Sequence, residues 1–234
     1  MKISNGVKKS LILIAIIVIL GAVGVLIYQN MPEKVLQGKK VVMIIAFRDF
    51  RDAEYFVPKE ILEEAGAKVK TASTKKGVAI GADGGDTEVD LLVSEINLAE
   101  FNDLQNKSFH DSIQSISSFN AVVFIGGPGC LESLDNEDSY KAAKDTVSQN
   151  KVLAAICISP VILAKAGALE GKKATVWSSP LDREPIETLE ENGATYEDKP
   201  VVVDGKIITG NGPDVAEEFG KKILDVLGTD ILHS

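Results

Sequence analysis

Runs of consecutive apolar residues alternate along this chain with segments whose apolar positions recur every three or four residues. The clearest runs occupy residues 41–46, 121–125 and 152–156. A continuous apolar run is typical of a strand that is covered on both faces. Helical spacing follows the first run over residues 54–65 and stops at Gly66, a helix-ending signal. This alternation predicts an α/β fold: a doubly wound, mostly parallel sheet with helices on both faces.

Weaker patterns complete the predicted order of elements. Further strands are predicted at 68–72, 88–93, 175–177, 201–203 and 207–208, and further helices at 139–149, 160–166, 183–191 and 213–227. The glycine-rich segment 77–86 is predicted to be a connection. Segment 97–118 is polar and only weakly helical, and its role stays open.

The amino-terminal segment has a different composition. Residues 11–28 are uncharged and almost wholly apolar, and the charge-free stretch runs from Ser10 to Pro32. As a helix, this stretch is long enough for a hydrocarbon core of about 30 Å, so we expect an uncleaved single-pass transmembrane anchor. A cleaved signal peptide is the alternative, although its apolar core is usually shorter. The predicted organisation is an anchor and linker at 1–38 and an α/β domain at 39–234.

Lysines on both sides of the apolar stretch leave the orientation of the expected anchor open. Lys2, Lys8 and Lys9 precede it, and Lys34 and Lys39 follow closely. The amino-terminal lysines tip the balance slightly toward an extracytoplasmic domain.

Charge and cysteine content exclude several classes of function. The chain carries a net charge of −9, and residues 33–234 carry −12 because the first 32 residues contain three lysines and no acids. Such an acidic domain repels phosphate backbones, so nucleic acid is not an expected partner. The cysteines, Cys130 and Cys157, are too few for a disulfide scaffold and lack the spacing of a metal site. No metal or cofactor is predicted.

The apolar run at 152–156 leads directly into the most informative residue, Cys157. Ser159 and Pro160 follow at once and indicate the start of a helix. A residue between a strand end and a helix start lies on a tight elbow, with its side chain at the carboxyl edge of the sheet. Backbone N–H groups and the helix dipole favour an anion there, so we expect the thiol to ionise readily. The alternative is a buried structural cysteine.

Two other strand ends carry candidate chemistry. After the first strand come Asp49 and Glu54, and after the strand at 121–125 comes the run that begins with Gly126 and Gly127. Glycine lets the backbone approach a ligand and donate N–H groups to an oxyanion. A carboxyl group buried beside a thiolate should have a raised pKa, so Glu54 would stay protonated and bond the sulfur. The alternatives are a solvated acid in a first helical turn and a plain glycine turn.

With these residues, the segment from about residue 39 to 227 resembles the ThiJ/PfpI family, which shares the class I glutamine amidotransferase-like fold. The resemblance rests on Phe47, Arg48, Asp49 and Glu54, on Gly126 and Gly127, on Ala155, Ile156 and Cys157, and on segments 163–172 and 209–219. It implies a flavodoxin-like sandwich. It also implies that Cys157 is the reactive cysteine, that Glu54 is its carboxyl partner, and that Gly126, Gly127 and the Ile158 backbone line the oxyanion site.

The sequence departs from this family where a histidine is expected. Protease-like relatives have histidine directly after the cysteine, where this chain has Ile158, and other relatives supply one where this chain has Trp177. Without an imidazole there is no conventional base for the thiol, so peptide hydrolysis is disfavoured. Trp177 and Asp49 are expected to line the pocket.

Two functions therefore stay open. One is a cysteine-dependent enzyme acting on small reactive carbonyls or their adducts, similar to glyoxalases and deglycases. The other is a non-enzymatic redox-sensing or stress-response protein in which Cys157 is oxidised. Cys130, which follows the glycine loop, is a candidate resolving thiol; its alternative role is a small apolar residue that caps the next helix. Relatives are commonly dimers, so a homodimer is a possible assembly.

Overall fold

The structure, a computed structural model, describes residues 34–96 and 119–229. The strands within these residues are β1 (Lys40–Ile44), β2 (Arg48–Phe50), β3 (Lys68–Ser73), β4 (Gly77–Gly81), β5 (Asp86–Val89), β6 (Leu91–Leu92), β7 (Ala121–Phe124), β8 (Val152–Ile156), β9 (Lys173–Ala174), β10 (Thr195–Tyr196), β11 (Val201–Asp204) and β12 (Ile207–Gly210). The helices are α1 (Asp52–Glu64), α2 (Val93–Ile96), α3 (Cys130–Leu134), α4 (Glu137–Ser148), α5 (Pro160–Lys165), α6 (Glu184–Glu191) and α7 (Ala216–Thr229), and a 3₁₀ turn (Pro213–Val215) precedes α7.

A seven-stranded sheet in the order β11-β12-β8-β7-β1-β3-β6 forms the centre of the domain. All its neighbouring strands pair in parallel except β11 and β12, which form an antiparallel pair. The strands β1, β7 and β8, which contain the apolar runs, lie side by side in the middle. Their carboxyl ends therefore meet at one edge of the sheet, where sites form in such folds.

Helices cover both faces of this sheet and divide the core in two. On one face α1 and α7 pack their buried side chains, including Tyr55, Leu62 and Phe219, against Val41 and Ile156. On the other face α2 to α6 pack against alternate residues of the same strands. Each central strand is thus buried on both sides, which explains its unbroken apolar sequence. The predicted flavodoxin-like α/β fold is confirmed.

The transmembrane helix that we expected before this domain must be corrected. The predicted span, residues 11–28, lies outside the described residues, and among residues 34–96 and 119–229 no helix is long and apolar enough to cross a membrane. Even α7, with 14 residues, has a length of only about 21 Å and carries charged side chains on one side. The fold that the structure supports is the α/β domain alone, and the membrane localisation is unsupported.

A small second sheet, in the order β2-β4-β5, was not predicted. Residues 77–86 were expected to form a connection, but they contain β4 and the turn into β5. Gly77 pairs with Val89 and Ile80 with Asp86 across this hairpin. Strand β2 then adds to β4 through Arg48 and Ile80. The pairing of β2 with β4 joins residues about thirty positions apart, so the local sequence does not indicate it.

Two further expectations differ from the structure. Leu36, in the predicted linker, is fully buried in the core, and its N–H donates to the carbonyl oxygen of Ala65 at 2.8 Å. The strand predicted at 175–177 is instead the short β9, which ends at Ala174. Residues after Ala174 do not continue the strand. The Thr175 N–H donates to the Thr209 hydroxyl at 2.8 Å and not to the backbone of a neighbouring strand.

Candidate active site

Cys157 lies on a strained elbow at the end of β8. Its φ angle is 65°, in the left-handed region that residues other than glycine adopt at an energetic cost. Two backbone hydrogen bonds hold this conformation. The Cys157 N–H donates to the Gly210 carbonyl oxygen at 2.8 Å, and the Trp177 N–H donates to the Cys157 carbonyl oxygen at 2.8 Å. The half-buried side chain is thereby presented at the strand-end edge of the sheet.

Ser159 supports this elbow in a way that sequence reasoning missed. We interpreted Ser159 and Pro160 only as a helix start, but the serine hydroxyl makes no capping bond to α5. Its Oγ accepts from the Ile156 N–H at 3.0 Å and lies 2.9 Å and 2.8 Å from the carbonyl oxygens of Phe124 and Ile156. The hydroxyl thus links the end of β7 to the end of β8, next to the elbow that carries the cysteine.

Glu54 reaches the same edge from the first turn of α1. Its side chain is fully buried, and its carboxyl group hydrogen-bonds the Cys157 thiol. Oε2 also accepts from the Gly126 N–H at 3.1 Å. Oε1 is buried and has no hydrogen-bond partner of ordinary geometry among the described residues. Oε1 is therefore free to accept a hydrogen bond from a bound ligand.

The backbone of Gly126 and Gly127, after β7, packs so closely against Cys157 and Glu54 that no side chain fits there. A Cβ atom on Gly126 would lie 2.6 Å from the Cys157 Cβ atom and 2.9 Å from Glu54 Oε2. Gly127 has a φ angle of 114°, and a Cβ atom on it would lie 2.4 Å from the Arg51 nitrogen. Glycine is thus required here both for conformation and for close approach.

Two backbone N–H groups point at the sulfur. The N–H groups of Gly127 and Ile158 both hydrogen-bond the Cys157 side chain. Such donors stabilise negative charge that develops on sulfur or on an oxygen next to it. The structure thus brings together Glu54, Gly126, Gly127, Cys157 and Ile158; their catalytic roles stay predictions.

The electrostatics of the pair differ from our expectation for the thiol. Burial, together with the charge and hydrogen bond of Glu54, raises the pKa of Cys157 to about 12, and the Gly127 and Ile158 N–H groups offset only part of this rise. Burial also raises the pKa of Glu54 to about 7, as we expected in direction. The short α5 cannot offset desolvation of the thiolate. The carboxyl group, and not the thiol, is therefore the group that titrates near neutral pH.

The acids after β1 have different positions. Asp49 is exposed, with a φ angle of 60°, and its carbonyl oxygen accepts from the Gly129 N–H at 3.1 Å. Asp52 accepts from the Asp83 and Gly85 N–H groups at 2.8 Å and 2.6 Å, so it holds the β4–β5 turn and not a ligand. Neither carboxyl group is shown to contact the sulfur.

Cys130 lies in the core of the domain. It is fully buried in the core cluster on the face of α2 to α6, whereas Cys157 packs against the cluster on the other face. Burial raises the pKa of Cys130 well above its usual value. Both thiols are free. That Cys130 is a resolving thiol for Cys157 stays a prediction.

After treatment of the full-length protein with hydrogen peroxide, we expect Cys130 to be recovered as a free thiol. Its burial removes it from the oxidant and keeps it protonated, and thiolates are the form that oxidises. Alkylation in denaturant followed by mass spectrometry reads the state of each cysteine, with Cys157→Ala as the control. Recovery of a peptide that joins Cys130 to Cys157 would contradict this expectation and support the resolving-thiol hypothesis.

A groove of about 370 Å³ lies elsewhere, along the outer side of α1. It is lined by Phe56, Lys59, Glu60, Glu63 and Glu64. The lining contains no nucleophile, and Lys59 is ion-paired with Glu63 at 2.6 Å. We therefore place the candidate chemistry at Cys157 and not in this groove.

Comparison with known proteins agrees with this geometry. The sequence profile of the DJ-1/PfpI family matches residues 39–226, which include Glu54, Gly126, Gly127 and Cys157. The chain belongs to the DJ-1/PfpI family. The resemblance stated from the sequence motifs is confirmed.

Relatives within the DJ-1/PfpI family include archaeal proteins. An uncharacterized protein of Methanocaldococcus jannaschii is 38% identical over 218 residues, which cover 92% of this chain and 96% of that protein. The protein named Deglycase PfpI of Pyrococcus furiosus is 30% identical over 172 residues, which cover 74% of this chain and 90% of that protein.

Solved structures of the family have the same fold. A ThiJ/PfpI domain protein from Brachyspira murdochii superposes with a TM-score of 0.70 at 31% identity, covering 82% of this chain and 98% of its own. DJ-1beta of Drosophila melanogaster superposes with a TM-score of 0.65 at 25% identity, covering 82% of this chain and 91% of its own.

Proposed function

We propose that this protein is a cysteine-dependent enzyme that converts small reactive carbonyl compounds, with Cys157 as nucleophile and Glu54 as proton carrier. The observation that carries the proposal is the contact between the two groups. A thiol with a pKa of about 12 adjoins a carboxyl group with a pKa of about 7. A general base works best when its pKa lies near the operating pH. Relatives named as deglycases, such as that of Pyrococcus furiosus, support this class of chemistry.

In the first proposed step, the sulfur adds to the aldehyde carbon of a 2-oxoaldehyde. The S–C bond forms as the C=O π bond breaks, and the thiol proton passes to the Glu54 carboxylate. The protonated Glu54 then returns this proton to the new alkoxide, which gives a hemithioacetal. The Gly127 and Ile158 N–H groups favour the negative charge that develops in this step.

The later proposed steps use the same carboxyl group and one water molecule. Glu54 removes the proton from the former aldehyde carbon, which gives an enediolate, and the hydroxyl proton passes from the oxygen on that carbon to the oxygen on the neighbouring carbon. Glu54 then returns its proton to the neighbouring carbon, which gives a thioester of a 2-hydroxy acid. The oxygen of water then bonds the thioester carbon, the C–S bond breaks, and one proton of the water returns to the sulfur while the other stays with the acid. The net reaction adds water to the 2-oxoaldehyde and needs no other reactant. The buried Oε1, which has no partner of ordinary geometry, is available for these transfers.

Peptide hydrolysis is a poorer fit to the site. Expulsion of an amine needs a proton donor near the leaving group, and imidazole is the usual one. No histidine lies within residues 34–96 or 119–229, and Ile158 directly follows the nucleophile. An activated carbonyl needs less assistance because no amine leaves.

The test is turnover of methylglyoxal by the full-length protein, with lactate measured as the product. We expect lactate formation by the wild-type protein, retention in Cys130→Ala, and loss to background in Cys157→Ala. Equal turnover in wild type and Cys157→Ala would overturn the proposal. Absence of turnover in the wild type would also overturn it.

A second candidate, redox sensing at Cys157, has one observation in its favour. The Gly127 and Ile158 N–H groups and a protonated Glu54 would together bind the oxygens of a sulfinate. The raised thiol pKa weighs against rapid oxidation, because the thiolate is the reactive form. Sulfinate formation at Cys157 by low peroxide in a protein without turnover would favour this second candidate.

A further inference from the structure

A partly exposed tryptophan adjoins the backbone of the nucleophile. Trp177 is 38% exposed, so its indole is accessible to a ligand. Its backbone N–H bonds the Cys157 carbonyl oxygen at 2.8 Å, so its position follows that of the elbow. A Cβ atom on Gly212 would lie 3.8 Å from the indole Cδ1 atom, so one edge of the ring faces the end of β12.

The segment that carries this indole is held at both ends. Two residues earlier, the Thr175 N–H donates to the Thr209 hydroxyl at 2.8 Å, and both side chains are buried. Thr209 and Gly210 belong to β12, and the Gly210 carbonyl oxygen accepts from the Cys157 N–H. These hydrogen bonds fix the backbone of Trp177 relative to β12 and to Cys157.

The charged groups at this edge of the sheet include two acids. Glu54 adjoins the sulfur, and Asp49 is exposed at the same strand-end edge. Arg51 is ion-paired with Asp83 at 3.1 Å. A carboxylate or phosphate on the substrate would therefore meet negative charge beside the sulfur whenever Glu54 is ionised, which favours an uncharged substrate.

We propose that Trp177 is a specificity-determining residue that selects uncharged carbonyl substrates with an aromatic group, such as arylglyoxals, over small alkyl ones. The inference rests on the proposed function at Cys157 and adds the substrate class. Stacking on an indole face gives a flat aromatic ring an advantage that a methyl group does not have. The expected gain in relative kcat/KM is roughly tenfold.

The kinetic test compares phenylglyoxal with methylglyoxal in the full-length protein. The quantity measured is the ratio of the two kcat/KM values, which cancels changes in the amount of active enzyme. We expect Trp177→Ala to lower this ratio roughly tenfold, mainly through the KM for phenylglyoxal, and Trp177→Phe to restore most of it. Leu181→Ala is the matched control, because Leu181 lies in the same segment and is 99% exposed. An unchanged ratio in Trp177→Ala would overturn the inference and leave the proposed function intact.

A binding test separates this inference from catalysis. Trp177 is the single tryptophan of the chain, so intrinsic tryptophan fluorescence reports on this residue alone. We expect 2-phenylacetamide, an unreactive neutral aromatic probe, to change the emission with a saturable dependence, and acetamide at the same concentrations to leave it unchanged. A saturable response in a protein that turns over neither glyoxal would support the aromatic site and contradict the proposed function. The absence of a saturable response to 2-phenylacetamide would overturn the aromatic site.

Discussion

Replacing Glu54 with glutamine is expected to lower kcat/KM for methylglyoxal by about 10²- to 10⁴-fold, the usual contribution of a positioned acid–base group. The same change should speed alkylation of Cys157 by iodoacetamide at pH 8. The reason is that the Glu54 charge and its hydrogen bond both raise the pKa of the thiol, so their loss lowers it. A more reactive thiol in a less active enzyme would identify Glu54 as the proton carrier.

The control for this variant is Glu60→Gln, which neutralises an exposed carboxylate on the same helix. It should change neither turnover nor alkylation by more than about twofold, as expected for a surface site. Turnover by Glu54→Gln within threefold of the wild type would remove Glu54 from the mechanism.

The stability of the Glu54→Gln variant should also depend differently on pH. The folded pKa of Glu54, about 7, exceeds its ordinary value of 4.5. A raised pKa means that this group contributes stability below pH 4.5 that is lost as the pH rises through 7. The loss from this group is on the order of 3 kcal/mol in the free energy of unfolding. Urea denaturation at pH 4.5 and pH 8 should show a smaller decrease for the variant than for the wild type.

Gly126→Ala is expected to have the second large effect. The new Cβ atom would lie 2.6 Å from the Cys157 Cβ atom, 2.8 Å from the Ile156 carbonyl oxygen and 2.9 Å from Glu54 Oε2. Two of these neighbours belong to the elbow and cannot move without β8, so the glycine loop must shift away from the sulfur. Overpacking of this kind costs about 1–3 kcal/mol of stability. Turnover should fall at least tenfold, because Gly126 and Gly127 donate to the reacting pair.

Gly167→Ala provides the comparison for this variant. At Gly167 a Cβ atom would meet nothing within 4 Å, so only the φ angle of 72° opposes alanine at this position. We expect it to cost about 1 kcal/mol and to keep wild-type turnover. Urea denaturation and methylglyoxal kinetics measure both variants. Wild-type kcat/KM in Gly126→Ala would show that the loop position is not needed for catalysis.

The sequence predicts those parts of the candidate site that lie at the ends of neighbouring parallel strands. Parallel strands bring their carboxyl ends to one edge, so Glu54, Gly126 and Cys157 could be expected together from their places after β1, β7 and β8. The support of the elbow by Ser159 was not predictable in this way. Its hydroxyl bonds the end of β7, a contact between residues 35 positions apart, whereas its sequence context indicated only a helix start.

The sequence by itself determined the alternation of strands and helices, the family and the elbow at Cys157, because burial on both faces demands unbroken apolar strands and tight turns demand particular residues. Only the tertiary structure decided the β2-β4-β5 sheet, the complete burial of Cys130 and the protonation of the site. These depend on which distant segments pack together. Desolvation of the thiol, for instance, comes from neighbours on α1, β7 and β8, and it outweighs the local dipole that the elbow sequence indicates.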